Sequence, residues 1–320
     1  MEISVLGPFR ATLSGVPVHL TAVKPRKVFA LLALQAGQVV SVASLVEEVW
    51  GENPPRSVQT TLQTYILQIR NAIAAALGDD ATGEGAFLPN GAKSVLVTEP
   101  GGYRLDVHGG LLDAHEFDAL ASAGHRALDR GEGTDASSYF GRALSLWHGR
   151  ALADVQCGPL LEVEATRLDE SRMSVLQRRI EADLRLGRHH ELVGELSGLA
   201  ARHPLHEAMH EQLMLALYRV GRRSDALTVY RQLRRCLNQS LGLDPSPSVE
   251  QLHRAVLDSS PRLDLDTAAR AAHAAPETHA AHAAHAAHAA HAAPAAHAAP
   301  AVPAVSAATH AAGPQLARAN

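Results

Sequence analysis

Cysteine is nearly absent from this chain. Cys157 and Cys236 are its two, too few for a disulfide framework and without the C-x-x-C spacing of a zinc or thiol-redox site. Aromatic residues make up only 4% of the 320 residues, and no apolar run approaches the roughly 18–20 residues that span a bilayer. Met1-Glu2-Ile3-Ser4 has no basic n-region and no cleavage-like site, so no secretory signal is expected. Neither a G-x-x-x-x-G-K-[ST] phosphate loop nor a G-x-S-x-G nucleophile elbow occurs. A phosphoacceptor-bearing β/α receiver pattern is missing too, which argues against an ordinary two-component response. Together these absences exclude a membrane protein and a disulfide-rich secreted one, and a reducing cytoplasm is the default compartment. Excess positive charge is lacking as well: the net charge is −4.

What is present divides into three. At roughly 150 residues per domain the length predicts two globular domains. The last 54 residues, Thr267 to Asn320, hold 28 alanines, 8 histidines and 5 prolines and no aromatic. Such a stretch has too little apolar bulk to offset its ordering entropy and is expected to be a disordered tail. Its His-Ala-Ala repeat, from His279 to His291, would stack histidines on one helix face, so metal binding is the sharper alternative to a repeat without a role. Residues 78–93, rich in glycine and turn formers, read as a loop that does not divide domains, because strand-like sequence resumes after it.

The opening reads as short strands. Ile3-Ser4-Val5-Leu6 alternates, and Gly15 with Pro17 marks a turn before Val18-His19-Leu20. Three helices follow: Arg26 to Ala36, with Val28, Leu31, Leu32 and Gln35 at helical spacing; Val42 to Trp50, capped by Ser41; and Arg56 to Leu77. Then Ser94–Thr98 and Tyr103–Val107 flank Glu99-Pro100-Gly101-Gly102 as a hairpin. Three helices and a hairpin make the order of a winged helix-turn-helix, whose third helix enters the major groove.

That third helix carries the functional signal. Leu62, Ile66, Ile69 and Ile73 recur at i, i+4, i+7 and i+11, which defines a buried face. Half a turn away lie Ser57, Thr60, Thr64, Leu67, Gln68 and Asn71, flanked by Arg56, Gln63 and Arg70. A solvated helix face normally carries Glu and Lys. This one carries hydroxyls and carboxamides, the groups that read base edges. Lys24, Arg26 and Lys27 cluster where the first helix begins and are suited to phosphate, or else form a solvated basic patch.

From Asp113 the pattern is helical as far as Leu257. Gly187-Arg188-His189-His190-Glu191-Leu192 aligns with Gly221-Arg222-Arg223-Ser224-Asp225-Ala226 at a spacing of 34, and Leu199 falls opposite Leu233. A period of 34 with paired helices is the tetratricopeptide signature, and such arrays bind partners rather than catalyse. An adaptor that binds no DNA is therefore one alternative. A zinc hydrolase is another, because His206-Glu207-Ala208-Met209-His210 is a literal H-E-x-x-H. Three features weigh against zinc. The motif starts within a first helical turn after Pro204, Glu211 follows the second histidine, and no third ligand stands at a familiar distance.

The segments Pro25-Arg26-Lys27, Val49-Trp50-Gly51-Glu52-Asn53-Pro54-Pro55, Thr61-Leu62-Gln63-Thr64-Tyr65-Ile66 and Gly101-Gly102-Tyr103-Arg104-Leu105 resemble the OmpR-type DNA-binding domain of the Streptomyces antibiotic regulatory proteins. Ala143–Gly149, Gln212–Arg219 and Leu241–Pro247 resemble the bacterial transcriptional activator domain that follows it in the same regulators. The resemblance covers about residues 1 to 260 in the family's order. The chain departs from the family at Gln68, where a basic residue is usual, and at Leu67, where a small polar one is. It also lacks the length and the phosphate loop for the nucleotide-binding domain that some members carry.

The expected fold is mainly α with small β elements. An OmpR-type winged helix-turn-helix (1–108) precedes an all-α tetratricopeptide-like activator domain (109–262) and a disordered tail (263–320). The resemblance implies a non-enzymatic activator without cofactor or metal. It would bind direct repeats near the −35 region of secondary-metabolite promoters as a homodimer on DNA and recruit RNA polymerase holoenzyme in the cytoplasm, at the nucleoid. The helical wheel and the resemblance together point to Arg56, Thr60, Thr64 and Gln68 for base contact and to Lys24, Arg26, Lys27 and Arg70 for phosphate. Although the whole chain is acidic, residues 1–75 carry 6 basic and 4 acidic side chains, so the DNA face would sit in a weakly positive segment.

Overall fold

The structure, a computed structural model, describes residues 1–78 and 91–264. The loop expected over 78–93 lies mostly outside these residues, and the tail expected from 263 lies almost wholly outside them. The chain opens with an antiparallel sheet of β1 (Glu2–Ser4), β2 (Arg10–Leu13) and β3 (Val16–Pro17), in that order. Ser14 (φ 51°) and Gly15 (φ 82°) form the two-residue turn between β2 and β3. Both left-handed residues match the turn to the right-handed twist of the strands. The strand expected at Val18–Leu20 does not form as a separate strand; the turn falls earlier, at Ser14–Gly15, β3 ends at Pro17, and only the Val18 N–H carries the pairing further, to the Ala11 carbonyl at 2.8 Å.

Helix α1 (Val23–Leu34) starts three residues before the expected Arg26, with Pro25 in its first turn. Val28 to Ala33 are all buried, so α1 is the central post of the domain. Strand β4 (Val39–Ser41), which the sequence reading missed, leads into α2 (Val42–Trp50). Ser41 caps α2 by accepting from the Ser44 N–H at 3.0 Å. Helix α3 (Val58–Leu77) and a single turn, α4 (Ala92–Val95), precede the hairpin of β5 (Leu96–Glu99) and β6 (Gly102–Leu105). Strand β4 pairs with β6, giving a three-stranded wing in the order β4-β6-β5. Pro100 and Gly101 (φ 79°) turn the hairpin, the glycine supplying the left-handed residue.

Seven helices then run from Asp113 to Leu257, both limits as expected. They are α5 (Asp113–Asp129), α6 (Gly133–Ser145), α7 (Pro159–Arg185), α8 (His189–Arg202), α9 (Glu207–Arg219), α10 (Arg223–Leu241) and α11 (Pro247–Leu257). The spacing of 34 corresponds to a repeated turn. The Arg188 N–H bonds to the Asp183 carbonyl at 3.0 Å, and the Arg222 N–H to that of Leu217 at 2.8 Å, each just past a left-handed glycine, Gly187 or Gly221. Gly131 and Glu132 repeat the turn between α5 and α6, at 2.9 Å to Ala127.

The apolar interior forms two clusters that meet along α7. One runs from Ile3 to Val175 and crosses residue 108 without a break; the other runs from Ile180 to Val256. The N-terminal strands bind the helical region directly. His148 and Leu152 donate backbone hydrogen bonds to Leu6 and Val5 at 2.8 and 3.0 Å. Asp113 accepts from the Val5 and Leu6 N–H groups, and Asp154 accepts from that of Phe9 at 2.7 Å. On the other side, Glu48 of α2 is buried at the start of α7. Its carboxylate accepts from the N–H groups of Gly158, Leu160 (2.9 Å) and Leu161 (3.0 Å). Gly158 has to be glycine here, because a Cβ would lie 2.0 Å from the Glu48 carbonyl oxygen.

Two predictions follow from this packing. Glu48→Ala leaves three N–H groups at a helix start without their acceptor and should lower stability by about 3 kcal/mol in chemical unfolding. Glu48→Gln keeps a carbonyl acceptor and should cost about 1 kcal/mol; a loss as large as that of Glu48→Ala would show that a neutral acceptor holds nothing there and that the charge carries the whole contact. The second concerns His189, which is buried with neither ring nitrogen hydrogen-bonded among the described residues. Burial first, then the charge of Arg219, pushes its pKa down to about 4. The unfolded chain takes up this proton near pH 6.5 and the folded one only near 4. The His189 contribution to stability is therefore full above pH 6.5 and lost as pH falls toward 4. His189→Leu should flatten that part of the unfolding-midpoint profile relative to wild type.

Candidate nucleic-acid interface

Helix α3 is held by its apolar face. Leu62, Ile66, Ile69 and Ile73 are each 2% exposed or less. Trp50 at the end of α2 stacks on Tyr65, ring centroids 5.8 Å apart and 15° from parallel, which fixes how α3 leaves α2. The opposite face is open to solvent, and Thr60, Thr64 and Gln68 are exposed on it as the wheel places them, whereas the helix starts at Val58 instead of the expected Arg56, so that Arg56, also exposed, lies in the turn just before α3. Ser57, Gln63, Leu67 and Asn71 share the exposed side. Arg70 is the one charged residue of α3. The Thr64 hydroxyl donates to the Thr60 carbonyl at 3.0 Å, which leaves its oxygen free to accept a bond from a base.

The four residues expected at phosphate are not equivalent. Lys24 is exposed, its ammonium 5.4 Å from the centre of the Trp50 ring. Arg26 donates to the Phe9 carbonyl at 2.7 Å and forms an ion pair with Asp154, so it ties α1 to the helical region. Lys27 is 9% exposed. Arg70 donates through Nε and Nη2 to the Leu96 carbonyl (3.1 and 2.8 Å) and through Nη2 to Thr98 Oγ1 (2.7 Å), fastening the wing to α3. Because α1 begins before Arg26, Arg26 and Lys27 lie within its first turns and face inward instead of sitting at its tip. The sequence reading passed over the exposed Lys93, on the turn leading into the wing. It also missed Glu48, whose signal was an acid three residues past the buried Leu45, on the apolar stripe of α2.

The H-E-x-x-H segment is occupied structurally. His206 precedes α9 and its Nε2 meets the Gln177 amide at 2.9 Å. The His210 Nδ1 contacts the His206 carbonyl at 3.1 Å, and Glu207 accepts from the Ser246 N–H. Burial, foremost, lowers the pKa of His210. Among the described residues no group of three His, Cys, Asp or Glu side chains is arranged to hold a metal ion. A groove of about 780 Å³ runs along α6, α7 and α8, with Leu144, Met173, Leu176 and Leu199 in its lining. Its two carboxylates, Asp169 and Glu195, are ion-paired to Arg150 and Arg179. No helix among the described residues is long and apolar enough to cross a membrane.

Comparison with known proteins matches both halves of this arrangement. Residues 112–257 match the bacterial transcriptional activator domain, and residues 15–82 match the family described as transcriptional regulatory protein, C terminal. The regulatory protein DnrI of Streptomyces peucetius is 49% identical over 264 residues, covering 82% of this chain and 94% of that one. The regulatory protein AfsR of Streptomyces coelicolor is 36% identical over 275 residues, 86% of this chain but 26% of the longer relative. The structure of Mycobacterium tuberculosis EmbR, in complex with a low-affinity phosphopeptide, superposes with a TM-score of 0.73 at 30% identity and covers 90% of this chain and 70% of that one.

The division among the basic residues can be tested. Arg70→Ala should loosen the wing and lower stability by about 1–3 kcal/mol, since the Leu96 carbonyl loses a charged donor. Lys24→Ala should change unfolding by less than about 0.5 kcal/mol. Equal effects in urea titration would show that the Arg70 bonds hold nothing together.

Proposed function

The chain belongs to the Streptomyces antibiotic regulatory protein family of DNA-binding transcriptional activators, and on that premise we propose that it activates a secondary-metabolite (antibiotic) gene cluster from direct repeats near the promoter −35 region. In this reading residues 1–108 bind DNA and residues 109–262 recruit RNA polymerase holoenzyme, within the cytoplasm at the nucleoid. The observation that carries the DNA-reading part is the exposed face of α3, which is rich in hydroxyls and carboxamides and free of acid. Arg56, Thr60, Thr64 and Gln68 contact base edges. Arg bonds guanine, Gln adenine, and Thr offers hydroxyl or methyl.

Lys24 leads the phosphate contacts. Arg26, Lys27 and Arg70 add local positive potential and reach phosphate only with the groups their internal contacts leave over. Few direct phosphate contacts mean weak non-specific binding and a shallow salt dependence, since each neutralised phosphate adds about −0.9 to the slope of log K against log salt. Tight operator binding then needs two protomers on adjacent half-sites, one helical turn apart on one face of the duplex, or polymerase held by the helical region.

Thr64→Ala combined with Gln68→Ala should abolish selective retention of the chain's promoter over competitor DNA in a gel shift, with circular dichroism unchanged. Retained selectivity would show that α3 does not read the groove. No retardation of any promoter fragment by the wild-type chain would favour the adaptor that binds no DNA.

A further inference from the structure

Leu67 is 57% exposed on α3, on the side opposite the buried Leu62, Ile66, Ile69 and Ile73. A single exposed leucine is ordinary on a protein surface. Its neighbours make this one different. Thr64 precedes it by three residues, Thr60 by seven, and Asn71 follows by four, so helical spacing places all three on its own stretch of surface. All are exposed hydrogen-bonding residues, and Leu67 interrupts them with a side chain that can bond nothing.

The groove offers one feature that such a side chain fits. In the major groove every base pair presents donors and acceptors, but only thymine presents a methyl group, at C5. A side chain ending in two methyl groups gains free energy there only by covering apolar surface, and the thymine methyl is what a duplex supplies. Asn71, one turn along the same face, is of the type that pairs bidentately with adenine. The two residues are therefore suited to reading a run of A·T pairs from one helix.

We propose that Leu67 is a specificity residue that recognises thymine through its C5-methyl group. The proposal rests on the reading of α3 as the base-contacting helix. It deepens that reading by naming a base and an atom.

The experiment takes the full chain, selects its preferred duplex from a randomised pool, and then replaces each thymine of the half-site in turn by uracil, which removes only the methyl. At one or two positions wild type should bind the uracil duplex about fourfold more weakly, the equivalent of one methyl or about 0.8 kcal/mol. Leu67→Ala should be insensitive at those same positions and should respond like wild type at all others. Alanine keeps the helix, and the side chain removed is exposed, so the variant should fold normally. At the sensitive position a C·G pair carrying 5-methylcytosine should bind wild type better than plain C·G, with Leu67→Ala indifferent to the methyl. Equal sensitivity of wild type and Leu67→Ala at every thymine would overturn the proposal while leaving α3 as the reading helix. Failure of wild type to enrich any duplex would overturn both.

Discussion

The carboxylate of Glu48 is the constraint on which the arrangement of the described residues depends. It leaves α2 of the winged helix and terminates the 27-residue α7, taking up the first N–H groups of that helix where no intrahelical acceptor exists. A buried acid normally requires a paired cation. Here a helix N-terminus, with its partial positive charge and aligned donors, takes that part. The contact also fixes the chemistry of its surroundings: the approach is so close that residue 158 is a glycine, and proline at 159 starts α7 where its missing N–H is harmless. From that anchor α7 runs about 40 Å, with Leu161 and Leu168 in the first apolar cluster and Ile180 and Leu184 in the second. One helix therefore couples the DNA-binding portion to the far helices through rigid backbone.

The opening sheet closes the same junction from its other side. The backbone of residues 5–7 receives bonds from residues 148–153, and Asp113 and Asp154 accept from strand-end N–H groups. The Arg26–Asp154 pair belongs to this seam. Half-exposed ion pairs add little to stability on their own, so the seam relies on its backbone bonds and on the apolar cluster beneath them. With the recognition helix packed through Leu62, Ile66, Ile69 and Ile73 onto this joined core, its outer face needs no residue for stability. Under the proposed function, that freedom from structural duty leaves the face available for base contact.

Much of this was legible in the sequence because it rests on local periodicity. The stripe of α3, the Ser41 cap, the helical run from Asp113 to Leu257 and the 34-residue spacing all encode nearest-neighbour physics, and the structure has them where the pattern puts them. What escaped depends on partners remote in sequence. Strand β4 is three residues long and exists because β6 pairs with it more than sixty residues on. Glu48 looks like a misplaced charge until Gly158, 110 residues away, supplies the donors. The basic trio proves uneven for the same reason. Read locally, Lys24, Arg26 and Lys27 are three equal cations at a helix start, whereas the earlier start of α1 leaves Lys24 outward and directs the other two into the molecule. The exposed face of α3 was easier to find because opposing a buried stripe is itself a local property.

The unequal placement of these cations bears on the charge that an approaching duplex meets. Residues 1–75 hold a surplus of two positive charges, but Arg26 is paired with Asp154 of the helical region. The field that an approaching duplex meets is therefore weaker than the count implies. Non-specific attraction, which scales with phosphates neutralised, is then small in absolute terms. On the proposed reading, discrimination shifts to contacts that distinguish one base from another: the hydroxyls, the carboxamides and Leu67, the exposed leucine of α3. A protein built this way gains little from merely touching DNA. On the proposed reading its occupancy is governed by matched base pairs and by whatever the helical region brings to the same site, and the backbone that Glu48 anchors is the physical link between the two.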